Sequence, residues 1–210
     1  MALASKNAVF LHVPKTAGMW VRHAYKVSNV ETYEIGDTHS HFPYLLKFKP
    51  ESFYRNIYTF AFIRHPLSWI QSRWTFRMRH GWKAIHPLDY NCMSNNFHTF
   101  VENMLKYRPD GWVTGEYKNY IDTVPGGIKA VGRLENLVDD LMRISKTAGD
   151  VINANIIKTM NRINDSDMDG LASKDWARYT PKLIDRVIGT EYEIISRYYS
   201  DIKVNYDDYI

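Results

Sequence analysis

A turn near the start of the chain combines the residue types that bind an anion. The β-branched and aromatic run over residues 9–13 predicts a strand, and Pro14 ends it because proline cannot donate to a sheet ladder. The three residues from Thr16 to Gly18 are small and precede a helix-like pattern, so their backbone N–H groups lie at a helix N-terminus. Lys15 adds a full positive charge. These residues predict a phosphate or sulfate site, and the alternative is an ordinary strand-turn-helix with a solvated lysine.

The same arrangement recurs after a second apolar run, residues 57–63. Arg64 follows this run, and Pro66 suits the first turn of a helix. Arg64 is therefore expected at the carboxyl end of a strand, where open α/β sheets bind ligands. Ser68 and Ser72 are four residues apart and share one face of the helix. We expect Arg64 and Ser72 to hold a second phosphate.

Two histidines, His39 and His41, lie between these segments. An imidazole with an ordinary pKa of about 6.5 can accept a proton from a hydroxyl group, which makes either one a candidate general base. The alternative is a pair of surface or hydrogen-bonded loop histidines. Two histidines and one distant cysteine, Cys92, lack zinc-type spacing, so we expect no metal site.

The elements that must position these residues follow from the apolar runs. Strands are predicted near residues 8–13, 57–63 and 128–133, and helices include 96–107 and 183–199. The first strand is expected to begin near residue 8. This alternation predicts an α/β fold in three layers, P-loop-like, with a central parallel β-sheet flanked by helices and right-handed crossovers. No linker is visible, so we expect one domain over residues 1–210.

Composition and charge limit the function classes. Apolar residues make up 45% of the chain, which predicts a packed globule and excludes disorder. No run approaches ~20 apolar residues and the N-terminus is polar, so we expect a soluble, cytoplasmic protein without a membrane span. One cysteine excludes an internal disulfide, which fits a reducing compartment. A net charge of +4 fits a polyanionic nucleotide or an acidic glycan as partner.

A basic cluster interleaved with aromatic residues follows the second anion segment. Its members are Arg73, Arg77, Arg79, His80 and Lys83, with Trp74, Phe76 and Trp82. Tryptophan faces stack on sugar rings and arginine pairs with carboxylates, so this cluster is a candidate acceptor groove. Residues 81–120 are expected to carry acceptor specificity. The alternative, which we favour for the basic cluster, is a solvated face of an amphipathic helix with Trp74 buried.

Taken in order, these motifs resemble those of sulfotransferases that use 3′-phosphoadenosine 5′-phosphosulfate. The residues Pro14-Lys15-Thr16-Ala17-Gly18 resemble the 5′-phosphosulfate loop of that family, and Arg64 to Ser72 resemble its 3′-phosphate motif. The pattern is similar to the branch that contains the heparan and chondroitin sulfate O-sulfotransferases and their short microbial relatives. Residues 133–137, Arg-Leu-Glu-Asn-Leu, extend the similarity, and the segment with His39 and His41 resembles that of the 2-O-sulfotransferases, where histidine is the catalytic base.

The resemblance implies an in-line transfer of sulfate from this donor to a hydroxyl group of a glycan or small molecule, with adenosine 3′,5′-bisphosphate as product and no metal. Relatives with a single histidine match His41, so His41 is the preferred base and His39 is its partner or alternative. Lys15 is implied to stabilise the leaving group. The implied donor-binding residues are Pro14, Lys15, Thr16, Ala17, Gly18, Met19, Trp20, Arg64, Ser72 and Arg162.

The chain departs from the family pattern and leaves alternatives open. The family usually has Thr or Ser where this chain has Met19, although backbone donors still supply the main contacts of the loop; Met19 then packs against the adenosine or in the core. Arg133 and Glu135 either brace the donor site as a pair or contact the donor directly. Animal members of the branch carry an anchor and a stem, so an early first strand predicts a microbial or viral enzyme.

Two other functions compete with this interpretation. A P-loop nucleotide kinase also binds phosphate with a loop between a strand and a helix. Its motif needs glycines ahead of the lysine, where this chain has residues 12–14, His-Val-Pro. A non-catalytic basic module that binds nucleic acid or a sulfated glycan explains the charge and the aromatic residues. It gives no reason for two separate strand-to-helix anion segments, so we expect no nucleic-acid partner.

Overall fold

The computed structural model describes residues 2–37, 41–160 and 176–210, and the fold below refers to these. The strands are β1 Ala2–Ala4, β2 Ala8–Leu11, β3 Tyr33–Ile35, β4 Tyr58–Ile63 and β5 Ala130–Arg133. The helices are α1 Gly18–Val27, α2 Phe42–Leu45, α3 Glu51–Asn56, α4 Pro66–His80, α5 Pro87–Cys92, α6 Phe97–Tyr107, α7 Trp112–Ile121, α8 Leu137–Ala148, α9 Ala154–Thr159, α10 Pro181–Thr190 and α11 Tyr192–Tyr198. Short 3₁₀ turns cover Leu134–Asn136 and Tyr206–Asp208.

The described strands form one open sheet in the order β3-β1-β2-β4-β5. β2 pairs in parallel with β4, and β4 in parallel with β5. β1 is antiparallel to both of its neighbours, β2 and β3, so four of the five described strands run in one direction. The α/β class is confirmed, and so are the three predicted strands, which are β2, β4 and β5.

The expectation that the first strand begins near residue 8 is wrong, because β1 precedes it. β1 has the sequence Ala-Leu-Ala, which is too short to show alternation and contains a residue type that is depleted in strands. Pairing on both sides holds it in place, with Leu3 opposite Phe10 on one strand and opposite Glu34 on the other.

The central strands read as continuous apolar runs because both of their faces are buried. Successive side chains of a strand point to opposite faces, and Phe10, Phe60 and Phe62 lie on the same face. That face forms a core cluster with apolar side chains of α1 and α8, Trp20 and Leu141 among them. Helices α1 and α8 therefore cover this face of the sheet.

Helix boundaries follow local chemistry with one exception. Pro66 begins α4 as predicted, and the side chain of Asn96 caps α6 by accepting the Thr99 N–H at 2.9 Å. The single helix predicted over residues 183–199 is wrong, because α10 ends at Thr190, α11 begins at Tyr192, and Glu191 lies between them. The Glu191 carboxylate accepts hydrogen bonds from the first turn of α7.

The described residues divide into two compact units, each built from two stretches of chain. The first unit takes its residues from 1–64 and 117–163, and the second from 65–116 and 164–210. The sheet, α1 and α8 belong to the first unit, and α4 to α6 and α10 belong to the second. The prediction of one domain over the whole chain stays a prediction.

Candidate functional site

Three parallel strands of the first unit end side by side. The register pairs Leu11 with Ala61 and Ile63 with Arg133, so β2, β4 and β5 point their carboxyl ends to one edge of the sheet. We call the residues that follow these strands the carboxyl edge, namely 12–18, 64 and 134–136. In open α/β sheets the ligand binds outside these strand ends.

The loop between β2 and α1 has an unusual backbone. Among the described residues, the non-glycine positions with positive φ are Lys15 at 66°, Ala17 at 63° and Asn29 at 55°. Positive φ at Lys15 and Ala17 therefore alternates with the other sign of φ at Thr16 and at the helical Gly18. In such a segment successive backbone N–H groups point into one concavity, which can bind an anion. Each left-handed L-residue costs about 1 to 3 kcal/mol, and such strain is concentrated at functional sites.

The first N–H groups of α1 belong to the set that a helix leaves without intrahelical acceptors. Those of Gly18, Met19 and Trp20 have no acceptor among the residues that the structure describes, as expected for the first turn of a helix. The side chain of Trp20 is buried in the core. Met19 is 51% exposed, so the alternative that it packs in the core is wrong.

Neighbouring side chains hold the loop in this strained form. The Thr16 hydroxyl is buried and donates to the carbonyl of Val13 at 2.9 Å. The ring of His12 lies against the backbone of Gly18, where a Cβ atom would come within 1.8 Å of Nε2. Only glycine fits there. Arg22 Nε donates to Nδ1 of the same ring at 3.4 Å, and Arg22 also pairs with Glu34.

His12 was not selected by sequence reasoning. The signal that could have found it is its polar side chain, since the other residues of the run 9–13 are apolar. In the structure its ring stacks on Phe10 with centroids 5.9 Å apart and lies against Gly18. His12 therefore shapes the loop that carries Lys15, whose side chain is half-buried.

The backbone of Arg64 is held by a buried tyrosine of α7. The Arg64 N–H donates to Tyr117 Oη at 3.0 Å, and the Tyr117 hydroxyl donates to the Arg64 carbonyl at 2.7 Å. Tyr117 is fully buried. It lies 53 residues further along the chain, within the segment that was predicted to carry acceptor specificity, and nothing in the local pattern indicates this role.

His41 contacts another tyrosine of α7, Tyr120. It is exposed at the start of α2, and its ring meets the buried ring of Tyr120 edge to face, with centroids 5.0 Å apart. Tyr120 and Tyr117 are three residues apart on α7 and therefore neighbours on one helix face. The same turn of α7 thus contacts both Arg64 and His41. His39 and Arg162 lie outside the described residues.

At the end of the third strand, β5, a side chain of α8 binds the backbone. The Arg133 N–H donates to Asp140 Oδ2 at 2.8 Å, and Asp140 also pairs with Arg143 at 2.8 Å. Gly132 lies against Phe62, where a Cβ atom would come within 2.4 Å of the ring. Glu135 is exposed in the 3₁₀ turn. The choice between bracing and direct contact for Arg133 and Glu135 stays open.

In the second unit, two members of the basic cluster share one buried carboxylate. Arg73 and Arg77 bind the two oxygens of Asp89 at 2.7 and 2.6 Å, and Asp89 is fully buried. Burial lowers the pKa of Arg73, and Asp89 opposes that shift. Both predictions for the basic cluster, an acceptor groove and a solvated helix face, are wrong for Arg73 and Arg77, because the carboxylate of Asp89 on α5 binds both side chains. Trp74 is buried, as expected, and donates to the Ser94 carbonyl at 2.9 Å.

Other second-unit residues cap helices or fill the core. Ser72 is buried on α4. The buried carboxylate of Glu191 accepts the N–H groups of Val113 and Thr114 at 3.0 and 2.7 Å, which caps α7. Burial raises the pKa of Glu191, and these hydrogen bonds oppose that shift. Burial also lowers the pKa of His65 to about 4.

We call the opposite end of the parallel strands, where β2 and β4 begin, the amino edge of the first unit. It carries a shallow depression of about 560 Å³. It is lined by Lys6, Asn7, Ser52, Phe53, Asn56, Ile57 and Ala148. No helix formed by the described residues combines the length and the apolar character needed to cross a membrane. Within the same residues, no group of three or more His, Cys, Asp or Glu side chains is arranged to hold a metal ion.

The chain has no match among protein-family models, curated proteins or solved structures. The resemblance to sulfotransferases therefore stays a prediction from the sequence. The structure contributes the geometry of the carboxyl edge, namely the loop with alternating φ, the Arg64 backbone held by Tyr117, and the contact of His41 with Tyr120.

Proposed function

We propose that this protein is a sulfotransferase that moves the sulfuryl group of 3′-phosphoadenosine 5′-phosphosulfate to a hydroxyl group, with a carbohydrate as the acceptor class. The observation that carries the proposal is the parallel pairing of β2 with β4. Because these strands are neighbours, the loop around Lys15 and the residue Arg64 leave the sheet at the same edge. A nucleotide with phosphates at both its 5′ and 3′ positions needs two such anion sites.

The loop is assigned to the 5′-phosphosulfate. Backbone N–H groups that converge at a helix N-terminus favour negative charge, and Lys15 adds a mobile ammonium. This strand-loop-helix unit on a mostly parallel sheet supports a three-layer P-loop-like fold as part of the proposal. Arg64 is assigned to the 3′-phosphate. Ser72 belongs to the second unit, and its part in holding that phosphate stays a prediction.

The reaction is an in-line displacement at sulfur. The acceptor oxygen forms a new O–S bond, the bond between sulfur and the bridging phosphate oxygen breaks, and adenosine 3′,5′-bisphosphate leaves with the electron pair. His41 takes the proton of the acceptor hydroxyl. By analogy with phosphoryl transfer, the protein contributes positioning and charge stabilisation, and Lys15 stabilises the oxygen that gains charge.

The role of His41 is tested by a matched pair of variants. Loss of a general base costs about 10² to 10⁴ in rate, so His41→Ala is expected to lose that factor in sulfate transfer while it still binds the bisphosphate. His23 is an exposed histidine of α1 and serves as the control, since His23→Ala removes the same group elsewhere in the first unit. Equal turnover in the two variants would remove His41 from the mechanism.

The donor class is tested by thermal unfolding with candidate ligands. At a concentration of about 100 times Kd, a bound ligand stabilises a protein by about 2.7 kcal/mol. For a chain of this size, that is a rise in Tm of about 5 to 10 °C. Adenosine 3′,5′-bisphosphate is expected to produce this rise without a metal, in wild type and in Lys6→Ala, and to lose most of it in Lys15→Ala. Lys6 is the control because it is an exposed lysine at the amino edge of the same sheet.

The outcomes of this experiment separate the competing functions. A rise with ATP and Mg²⁺ but not with the bisphosphate would indicate a nucleotide kinase. No rise with either ligand would indicate a non-catalytic module. Transfer of labelled sulfate to extracted glycans and small metabolites then identifies the acceptor.

A further inference from the structure

The contact between Tyr117 and Arg64 has a geometry that simple core packing does not require. One phenolic oxygen both accepts from the N–H of Arg64 and donates to the carbonyl of the same residue, at 3.0 and 2.7 Å. These two backbone groups flank the φ and ψ torsions of Arg64. A single side chain that binds both groups therefore restricts the two backbone rotations that set the direction of the Cα–Cβ bond, from which the arginine side chain extends.

The position of Arg64 explains why such a restraint matters. β4 pairs with β5 as far as Ile63, opposite Arg133, and with β2 as far as Ala61. Arg64 is thus the first residue beyond the β4 ladder, where the sheet no longer fixes the backbone. Pro66 begins a helix two residues later. The direction of the arginine side chain is set within this short junction.

The residue type at position 117 is informative because its ring is fully buried. A phenylalanine would fill nearly the same volume, and a buried hydroxyl is tolerated only where it has hydrogen-bonding partners. Here the partners are the two backbone groups of a residue at the carboxyl edge. The hydroxyl of Tyr117 therefore adds to the Arg64 junction a restraint that ring packing alone does not supply.

We infer that Tyr117 is a positioning residue, which acts through Arg64 to prepare the second anion site for a nucleotide 3′-phosphate. The inference rests on the proposed function and assigns to α7 a role in donor binding that the sequence motifs do not contain. Tyr117 does not touch the donor in this account. Its hydroxyl lowers the conformational cost of binding by holding the Arg64 backbone before the ligand arrives.

The test compares Tyr117→Phe with Tyr54→Phe in binding to adenosine 3′,5′-bisphosphate, measured by calorimetry. Tyr54 is also fully buried in the first unit, and its hydroxyl donates to the Leu45 carbonyl at 3.1 Å, so Tyr54→Phe loses one buried hydrogen bond and Tyr117→Phe loses two. We expect Tyr117→Phe to raise Kd about tenfold, since it removes both hydrogen bonds that hold the Arg64 backbone. Tyr54→Phe is expected to leave Kd within about twofold, although it too loses a buried hydrogen bond.

A double-mutant cycle with Arg64→Ala provides the readout that a merely structural role would not change. If Tyr117 acts through Arg64, the substitution Tyr117→Phe has no further effect on Kd once the guanidinium is gone. Additive effects of the two substitutions, or equal Kd values for the two tyrosine variants, would overturn the inference while leaving the proposed function intact. Absence of binding by wild type, or equal binding by wild type and Arg64→Ala, would remove the proposed role of Arg64 and the inference with it.

Discussion

The carboxyl edge of the first unit and the Arg73–Asp89–Arg77 cluster of the second unit are both rich in positive groups, yet the fold treats them differently. In the second unit one buried carboxylate binds both guanidinium groups. At the carboxyl edge, the positive character comes from helix N–H groups without acceptors among the described residues, on a strained loop that carries a lysine. Basic residues in a sequence therefore include groups that the fold buries against its own carboxylate, as it does with Arg73 and Arg77.

The largest expected effect comes from removing the carboxylate that Arg73 and Arg77 share. Asp89→Asn leaves Arg73 and Arg77 buried without their counter-charge, and loss of one partner from a buried ion pair costs about 3 to 5 kcal/mol. Denaturant unfolding is expected to report that loss in the free energy of unfolding. The control is Asp110→Asn, at an exposed pair with Arg108, which should cost less than about 1 kcal/mol. Similar costs for the two variants would contradict the structural role of Asp89.

Acid is expected to destabilise the second unit through His65. Burial lowers the pKa of this imidazole to about 4, against about 6.5 in the unfolded chain, so the unfolded state takes up the proton first. Stability should therefore fall as pH drops from about 6.5 to about 4, by up to about 3 kcal/mol for this group. The measurement is the free energy of unfolding against pH for wild type and His65→Phe. A slope in this window that is equal in both proteins would assign the effect to other groups.

Lys15→Gly is expected to change stability and activity in opposite directions. Glycine adopts positive φ without strain, and relief of a left-handed L-residue is worth about 1 kcal/mol of stability. Loss of the ammonium is expected to lower turnover on the order of a hundredfold. Asn29→Gly, at the other described non-glycine residue of positive φ outside the loop, should leave turnover unchanged. A Lys15→Gly variant that is less stable than wild type would show that the lysine conformation is not strained.

The smallest effect concerns the contact between Tyr120 and His41. An edge-to-face ring pair contributes about 0.5 to 1.5 kcal/mol, so its loss in Tyr120→Leu is expected to lower kcat about threefold to tenfold without a change in the Kd of the bisphosphate. Tyr120→Phe keeps the ring and serves as the control, with kcat near the wild-type value. A change in Kd rather than in kcat would assign Tyr120 to donor binding.

The sequence predicts the parts of the molecule that depend on neighbouring residues. Proline after an apolar run marks the ends of β2 and β4, and small residues after Lys15 indicate the loop. It does not predict the positive φ of Lys15 or Ala17, since neither is glycine and tertiary contacts such as that of His12 with Gly18 impose the conformation. The contacts of Tyr117, Asp89 and Glu191 span 53, 16 and 78 residues of chain, and no local pattern carries them.

Amide hydrogen exchange with and without adenosine 3′,5′-bisphosphate tests the central claim most directly. The account predicts slower exchange for the amides of Gly18, Met19 and Trp20 when the bisphosphate is bound, and no change for those of Lys6 and Asn7 at the amino edge. Protection confined to the amino edge, or no protection in the loop of a protein that binds the bisphosphate, would contradict the assignment of the carboxyl edge as the donor site.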